Sequence, residues 1–326
     1  MTRPLAVFTD LDDLDPAPGV ALLTEAGFDV RIADSADPDT IARVASDAVA
    51  LLVGYAKVDA DLLDRLLHVR ILATLSAGHD MIDSEAARAR GLWVCNLPDA
   101  ATEEVAVHAL ASALSLVREL PQADAVVRRG GWTTDLPRFP RRTSDLTLGL
   151  VGMGRIASRL AELAAPIFGR VAAYDPLCPP EQWPAAVQRT DLDTLLACSD
   201  VLSLHAPLND TTRNLIGRAQ LERMPAGSFL VNVARGGLVD LTAVLEALDS
   251  GHLAGAALDV LPVEPPAPDD PVRTHPGLLL SPHSAFLSDA SRRAYVERPA
   301  ENVIAWHRTG RPLTPVVTPA TEGIAP

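Results

Sequence analysis

From its amino end the chain alternates short apolar runs with amphipathic stretches of helical length. The pattern predicts strands at residues 5–9, 29–33, 48–53, 70–75 and 93–96, separated by helices at 19–26, 39–45, 59–67 and 83–90. Strands that alternate with helices of this length imply crossover connections and a parallel sheet covered on both faces. The first hundred residues therefore read as a small flavodoxin-like α/β unit. An Ala-rich helix is predicted over 102–120, followed by an irregular stretch, 128–144, rich in Arg, Pro and Gly. A second α/β series then starts, with strands at 146–151, 170–174, 201–205, 228–233, 255–260 and 278–281. A last helix over 288–308 leads into a Pro/Thr-rich tail expected to be poorly ordered. The fold class is α/β, with two doubly wound parallel-sheet domains.

Composition narrows the function. A chain of 326 residues, 48% hydrophobic and 21% charged, is globular and long enough for about two cores. No apolar run reaches the roughly 18 to 20 residues of a membrane helix, and the first residues turn acidic with no secretory pattern. Cys95, Cys178 and Cys198 are odd in number and scattered, which matches neither a disulfide framework nor a metal site. The expected location is a reducing cytoplasm. A net charge of −14 opposes partners such as nucleic acid or an anionic membrane and leaves small molecules as ligands.

The strand at 146–151 runs directly into Gly152-Met153-Gly154-Arg155-Ile156-Ala157 and a helix. This is a dinucleotide turn. Gly152 permits the tight reversal, Gly154 leaves bare backbone for a pyrophosphate, and Ala157 lets the helix approach the sheet. The helix start adds N–H groups and a positive dipole end. Asp175 follows at the end of the next strand, about 20 residues on, where an acid accepts hydrogen bonds from the adenosine ribose. No Arg or Lys stands immediately after it to neutralise a 2′-phosphate, so the expected cofactor is NAD rather than NADP.

Three stretches at later strand ends carry chemistry, namely Asn232-Val233-Ala234-Arg235-Gly236, Leu258-Asp259 through Glu264, and Pro282-His283-Ser284-Ala285. Strand ends of this kind border the ligand crevice of an open parallel sheet. An arginine there forks onto a carboxylate and polarises the neighbouring carbonyl. A histidine delivers or takes the proton as hydride reaches or leaves carbon. An acid orients the imidazole and favours its charged form. Arg235, Glu264 and His283 are accordingly the candidate catalytic residues.

These motifs resemble the D-isomer-specific 2-hydroxy acid dehydrogenases, a family that includes phosphoglycerate and glycerate dehydrogenases and the C-terminal-binding-protein corepressors. The resemblance covers almost the whole chain. It runs through the Gly152–Ile156 turn, Leu204-His205-Ala206-Pro207-Leu208 with Thr212, the Arg235 segment, Leu258 to Glu264, and Pro282-His283. It implies that a small 2-hydroxy or 2-oxo acid is the substrate. His205, Ala206, Pro207, Thr212, Val233, Ala234, Asp259, His283 and Ala285 are implied to line the cofactor, with Asp259 near the nicotinamide amide. Ser76-Ala77-Gly78 resembles the loop whose N–H groups hold the substrate carboxylate, and Arg235 and His283 face the same ligand. The family resemblance also implies a homodimer through the cofactor domains. It divides the chain into a discontinuous substrate domain, residues 1–100 and 285–326, and an inserted NAD-binding Rossmann domain, residues 101–284.

Some positions depart from the family. Val107 replaces the usual acid before His108, Asn209 stands where Thr is commoner, and residues 284–288 are closer to the corepressor branch. Related formate dehydrogenases carry Gln in place of the acid, so the resemblance at Glu264 argues against that activity. The alternatives to a 2-hydroxy acid dehydrogenase are an NAD(H)-sensing binding module with vestigial activity and oxidation of a non-carbon acid such as phosphite. Tyr55, after a strand end, is a candidate substrate contact. Arg138, Arg141 and Arg142 read as a solvated loop, with a cationic rim for a second substrate anion as the competing reading. His79 reads as a bystander and His108 as a helix-packing residue.

Overall fold

The computed structural model describes residues 3–11 and 14–319. In chain order the first elements are β1 (Leu5–Phe8), α1 (Ala17–Glu25), β2 (Asp29–Ile32), α2 (Pro38–Val44) and β3 (Ala50–Val53). Next come α3 (Ala60–Arg65), β4 (Ile71–Thr74), α4 (Ser84–Ala89) and β5 (Trp93–Cys95). The middle of the chain opens with α5 (Thr102–Val117), α6 (Leu120–Arg128), β6 (Thr147–Val151), α7 (Arg155–Ala164) and β7 (Arg170–Tyr174). It continues with β8 (Gln188–Arg189), α8 (Leu192–Cys198), β9 (Val201–Leu204), α9 (Arg218–Leu221) and β10 (Ser228–Asn232). The remaining elements are α10 (Leu241–Asp249), β11 (Leu253–Leu258), β12 (Leu278–Leu280), α11 (Asp289–Thr309) and β13 (Pro315–Val317). The chain divides into two compact units, residues 1–101 with 287–326, and residues 102–286.

The first unit holds a six-stranded sheet in the order β13-β5-β4-β3-β1-β2. Its central strands β1, β3 and β4 read as continuous apolar runs because both their faces are covered. Leu5, Val7, Leu51, Val53, Leu72 and Val94 point to one face, where Ile41, Leu62, Leu63 and Ala87 of α2 to α4 meet them. Ala6, Phe8, Ala50, Leu52, Ile71 and Cys95 point to the other, under Leu23 of α1 and Val296, Ala300 and Val303 of α11. Aspartates start the helices on the first face. The carboxylates of Asp37, Asp59 and Asp83 accept the N–H groups of Thr40, Leu62 and Ala86, which gives part of the acidic surplus a structural use.

The tail departs from expectation. Residues 315–317 form β13, antiparallel to β5, and 320–326 lie outside the described residues. Buried Asn302 of α11 holds the approach: its Oδ1 accepts the Thr314 N–H at 3.0 Å, and Thr314 Oγ1 donates to the Asn96 carbonyl at 2.5 Å. Proline is tolerated at such an edge because only one side of the strand needs donors.

The second unit holds a seven-stranded sheet in the order β12-β11-β10-β9-β6-β7-β8, parallel throughout. Strand order reverses between β6 and β9, which marks the crevice where open α/β sheets bind ligands. The helix expected over 102–120 is α5, ending at Val117, and an unexpected α6 follows because Glu119 takes a left-handed conformation (φ 53°) and turns the chain. Glu119 is buried and accepts Arg138 Nε at 2.9 Å, and Arg138 also donates to the Ala254 carbonyl. Arg141 pairs with Asp200 at 2.7 Å, and Asp200 accepts the Thr147 N–H. Ala254, Asp200 and Thr147 stand at the amino ends of β11, β9 and β6. Arg138, Arg141 and Arg142 are thus exposed loop residues, and two of them, Arg138 and Arg141, brace the amino-terminal edge of the sheet, opposite its ligand crevice.

Candidate active site

The strand β6 ends on Val151, and Gly152 turns the chain with φ 91°. A Cβ on Gly152 would stand 2.8 Å from the His205 carbonyl carbon, so this position needs glycine for its backbone angle and for its neighbour. Gly154 is different. Its φ is −77°, and a Cβ there would meet nothing within 4 Å. Neither backbone strain nor protein packing demands glycine at 154, and open space lies in front of it. The amino end of α7 has no side-chain cap. Uncapped N–H groups, a positive dipole end and open room fit the pyrophosphate of a dinucleotide. Arg155 and Ile156 form the first turn of that helix, with Arg155 exposed.

Asp175 closes the cradle from β7. Its Oδ2 accepts the Met153 N–H at 2.8 Å, and its Oδ1 accepts those of Leu177 and Cys178. The carboxylate thus fixes the glycine turn. His205 follows β9, and burial pushes its imidazole down to about 4, so it is neutral at ordinary pH. A 2.9 Å hydrogen bond joins its Nε2 to Ser203 Oγ. Ala206 and Pro207 continue this segment. Thr212 Oγ1 donates to the Pro207 carbonyl at 2.6 Å, and Asn209 Oδ1 accepts the N–H groups of Thr211 and Thr212. Asn209 therefore caps this turn where threonine is commoner.

The strand β10 delivers Val233, Ala234 and Arg235. Fully buried Asn232, which sequence reasoning did not single out, holds them in place. Its Nδ2 donates to the Arg235 carbonyl at 2.9 Å and its Oδ1 accepts the Ala234 N–H at 3.1 Å. Arg235 Nη1 donates to the Ala234 carbonyl at 2.8 Å. From β11 the chain passes Asp259 and reaches Glu264, whose Oε1 accepts the Leu261 N–H at 2.7 Å. Glu264 Oε2 lies 2.7 Å from His283 Nδ1. Burial pushes the Glu264 carboxyl up, but hydrogen bonds from His283 and Leu261, with the charges of His283 and Arg235, outweigh it and hold the group below its ordinary value. Glu264 is consequently held as an anion beside His283 Nδ1, the side of the ring on which it favours a proton.

His283 itself has φ 51°, an uncommon angle for a non-glycine residue. Asp259, nearly buried, grips the loop at three successive amides. Its carbonyl accepts the His283 N–H at 2.8 Å, Oδ1 accepts that of Ser284 at 2.9 Å, and Oδ2 accepts that of Ala285 at 3.0 Å. Ala285 is buried, with its N–H already used in this way. The arginine, the acid–histidine pair and the glycine turn all lie at carboxyl ends of strands of one sheet.

In the first unit, Tyr55 follows β3 and is 47% exposed. Buried Asp10, absent from the candidate residues, fixes its backbone by accepting the N–H groups of Tyr55 at 2.6 Å and Ala56 at 3.0 Å. Ser76, Ala77 and Gly78 follow β4. Their three carbonyls accept Leu97 N, Asn96 Nδ2 and Ser76 Oγ, while among the described residues none of their N–H groups donates to a protein acceptor. All three cysteines are free, with Cys95 buried. Among the described residues no His/Cys/Asp/Glu cluster could hold a metal, and no helix is long and apolar enough to cross a membrane.

The family model for the NAD-binding domain of D-isomer specific 2-hydroxyacid dehydrogenases matches residues 110–285. A glyoxylate reductase of Thermofilum pendens is 34% identical over 320 residues, covering 94% of this chain and 92% of that protein. A D-3-phosphoglycerate dehydrogenase of Archaeoglobus fulgidus is 36% identical over 262 residues, covering 79% of this chain. The match spans only 49% of that longer protein. Among solved structures, the D-lactate dehydrogenase of Aquifex aeolicus, complexed with NAD and lactic acid, aligns with a TM-score of 0.87 at 27% identity, covering 97% of this chain and 100% of that one. The NADPH-dependent glyoxylate/hydroxypyruvate reductase of Sinorhizobium meliloti, with NADP and malonate, aligns at 0.85 and 30% identity over 97% of each chain.

Proposed function

Because the chain belongs to the D-isomer specific 2-hydroxyacid dehydrogenases, we propose that it reduces a small 2-oxo acid to the D-2-hydroxy acid with Arg235, Glu264 and His283 as its catalytic set. The observation that carries this reading is the 2.7 Å His283–Glu264 pair, set on the same sheet edge as Arg235 and the dinucleotide turn. Bound NADH would supply the hydride. Gly152, Gly154, Arg155 and Ile156 would hold its pyrophosphate, Asp175 its ribose, and His205 to Pro207, Thr212, Val233, Ala234, Asp259 and Ala285 would line its remaining length. His283 Nε2 carries the proton that the substrate oxygen receives, and Glu264 balances the charge of the imidazolium before transfer. Arg235 polarises the carbonyl and forks onto the carboxylate.

The first unit is assigned to the substrate and the second to NAD. The carboxylate is given to the N–H groups of Ser76, Ala77 and Gly78, whose carbonyls are already used while the donors are not, and the substrate side chain to Tyr55. Small 2-oxo acids are the favoured class, since relatives that match over most of their own length are named glyoxylate reductases. The test is NADH oxidation against glyoxylate, hydroxypyruvate and phosphohydroxypyruvate. Turnover is expected with at least one of them, and none with any would overturn the reading.

NAD is favoured over NADP by the Asp175 carboxylate, which would repel a 2′-phosphate. For Asp175→Ala the dissociation constant of NADH should rise by about tenfold or more, as loss of hydrogen bonds to a charged group implies, while that of NADPH should not rise. The NADPH arm matters because Asp175 also holds Met153. A merely loosened turn would weaken both cofactors equally, and that result would remove the ribose role.

The working form is a homodimer. Leu120, Val127, Trp132 and Phe139 are 55%, 55%, 71% and 88% exposed within one short segment of the second unit. Several large exposed apolar side chains in one segment favour an association surface there. Sedimentation of the purified chain at the mass of one copy would exclude the dimer. The three free cysteines suit a reducing cytoplasm.

A further inference from the structure

The family's acid before His108 is missing, yet His108 is not a mere packing residue. It lies on α5, which packs across β10 and β11, and its Nε2 stands 3.0 Å from Ser281 Oγ. Ser281 Oγ in turn stands 2.5 Å from Asp259 Oδ1. Donors and acceptors fix the sense of this chain. The carboxylate accepts, so the serine spends its one hydroxyl proton on Asp259 and its oxygen is left to accept. Nε2 of His108 must then carry a proton and donate. His108 and Asp259 are themselves 3.8 Å apart, too far for a direct hydrogen bond, so Ser281 is the link.

The end of this chain is the residue that grips the catalytic loop. Asp259 engages the amides of His283, Ser284 and Ala285, and its side chain is 1% exposed, so water cannot supply a missing donor. The loop has a reason to need such a grip. His283 sits at φ 51°, a conformation that persists only when surrounding contacts enforce it. We propose that His108 is a positioning residue for His283, acting through Ser281 and Asp259. The inference takes from the proposed function only that His283 is the acid–base residue; the hydrogen-bond chain stands without it.

The test compares His108→Leu, His108→Gln and Ser281→Ala with wild-type protein. Glutamine places an amide N–H at about the reach of Nε2, whereas leucine fills similar volume without a donor. Amide exchange of Ser284 and Ala285 should be about tenfold faster in His108→Leu, the factor that corresponds to roughly 1.4 kcal/mol and to one lost hydrogen bond. Glutamine should restore it. With substrate, His108→Leu should lower kcat by a similar factor while KM for the 2-oxo acid stays near wild type. Ser281→Ala should match the leucine variant, and combining the two should add little, because both cut the same chain. Unchanged exchange and kcat in His108→Leu, or equal losses in the leucine and glutamine variants, would overturn the proposal. Should the wild-type protein turn over no 2-oxo acid, the acid–base reading fails, and the exchange rates still decide whether His108 holds the loop.

Discussion

His283→Ala should lower kcat for 2-oxo acid reduction by about a thousandfold, within the range that a positioned general acid contributes, while NADH affinity stays within about twofold of wild type. The size of the effect follows from how completely the imidazole is committed. Its Nδ1 is bound to Glu264, its backbone is held by Asp259, and among the described residues no second histidine stands within hydrogen-bond reach of Glu264. His205 cannot substitute, because burial keeps it neutral and it is tied to Ser203. The glycine turn and Asp175 belong to other strands, so cofactor binding survives the loss. Steady-state kinetics with NADH-fluorescence titration separates the two quantities. A variant that kept a tenth or more of wild-type kcat would remove His283 from its role.

Arg235→Gln is expected to be as damaging, lowering kcat/KM by about a thousandfold, as loss of a charged group that stabilises developing oxyanion charge does. Glutamine retains hydrogen-bonding capacity but neither the charge nor the two-pronged donor geometry. Lysine should recover little, because a point charge does not replace the planar fork. Buried Asn232 grips the Arg235 carbonyl and the Ala234 N–H, neither of which the substitution touches. The effect should therefore reach substrate reduction and leave NADH binding intact. A fall in NADH affinity equal to the fall in kcat/KM would instead make Arg235 part of the cofactor site.

The periodicity of the chain carries the fold far. Strands buried on both faces, such as Leu5–Phe8 and Ala50–Val53, announce themselves as apolar runs, and aspartate caps mark the starts of α3 and α4. What escaped depended on contacts distant in sequence. The left-handed break at Glu119 answers to Arg138, and β13 forms because Asn302 and Asn96 receive Thr314, partners that no local window contains. The site divides in the same way. Arg235, Glu264 and His283 are legible because each follows a strand in a motif with its own chemistry. Asn232, Asp10 and the His108–Ser281 link are not, since a buried polar residue acquires its role only from the group that folding brings to it. The arginines at 138 and 141 are exposed loop residues, as their composition suggested, but their pairing with Glu119 and Asp200 depended on partners that no local window contains.

The most direct measurement is the fate of deuterium from NADH labelled at C4 of the nicotinamide ring on its transferred face, followed by mass spectrometry and NMR of the 2-hydroxy acid formed. Direct hydride transfer on this sheet edge requires one deuterium at C2 of a product of D configuration, with none lost to solvent. Product without deuterium at C2, or consumption of NADH with no 2-hydroxy acid formed, would contradict the account.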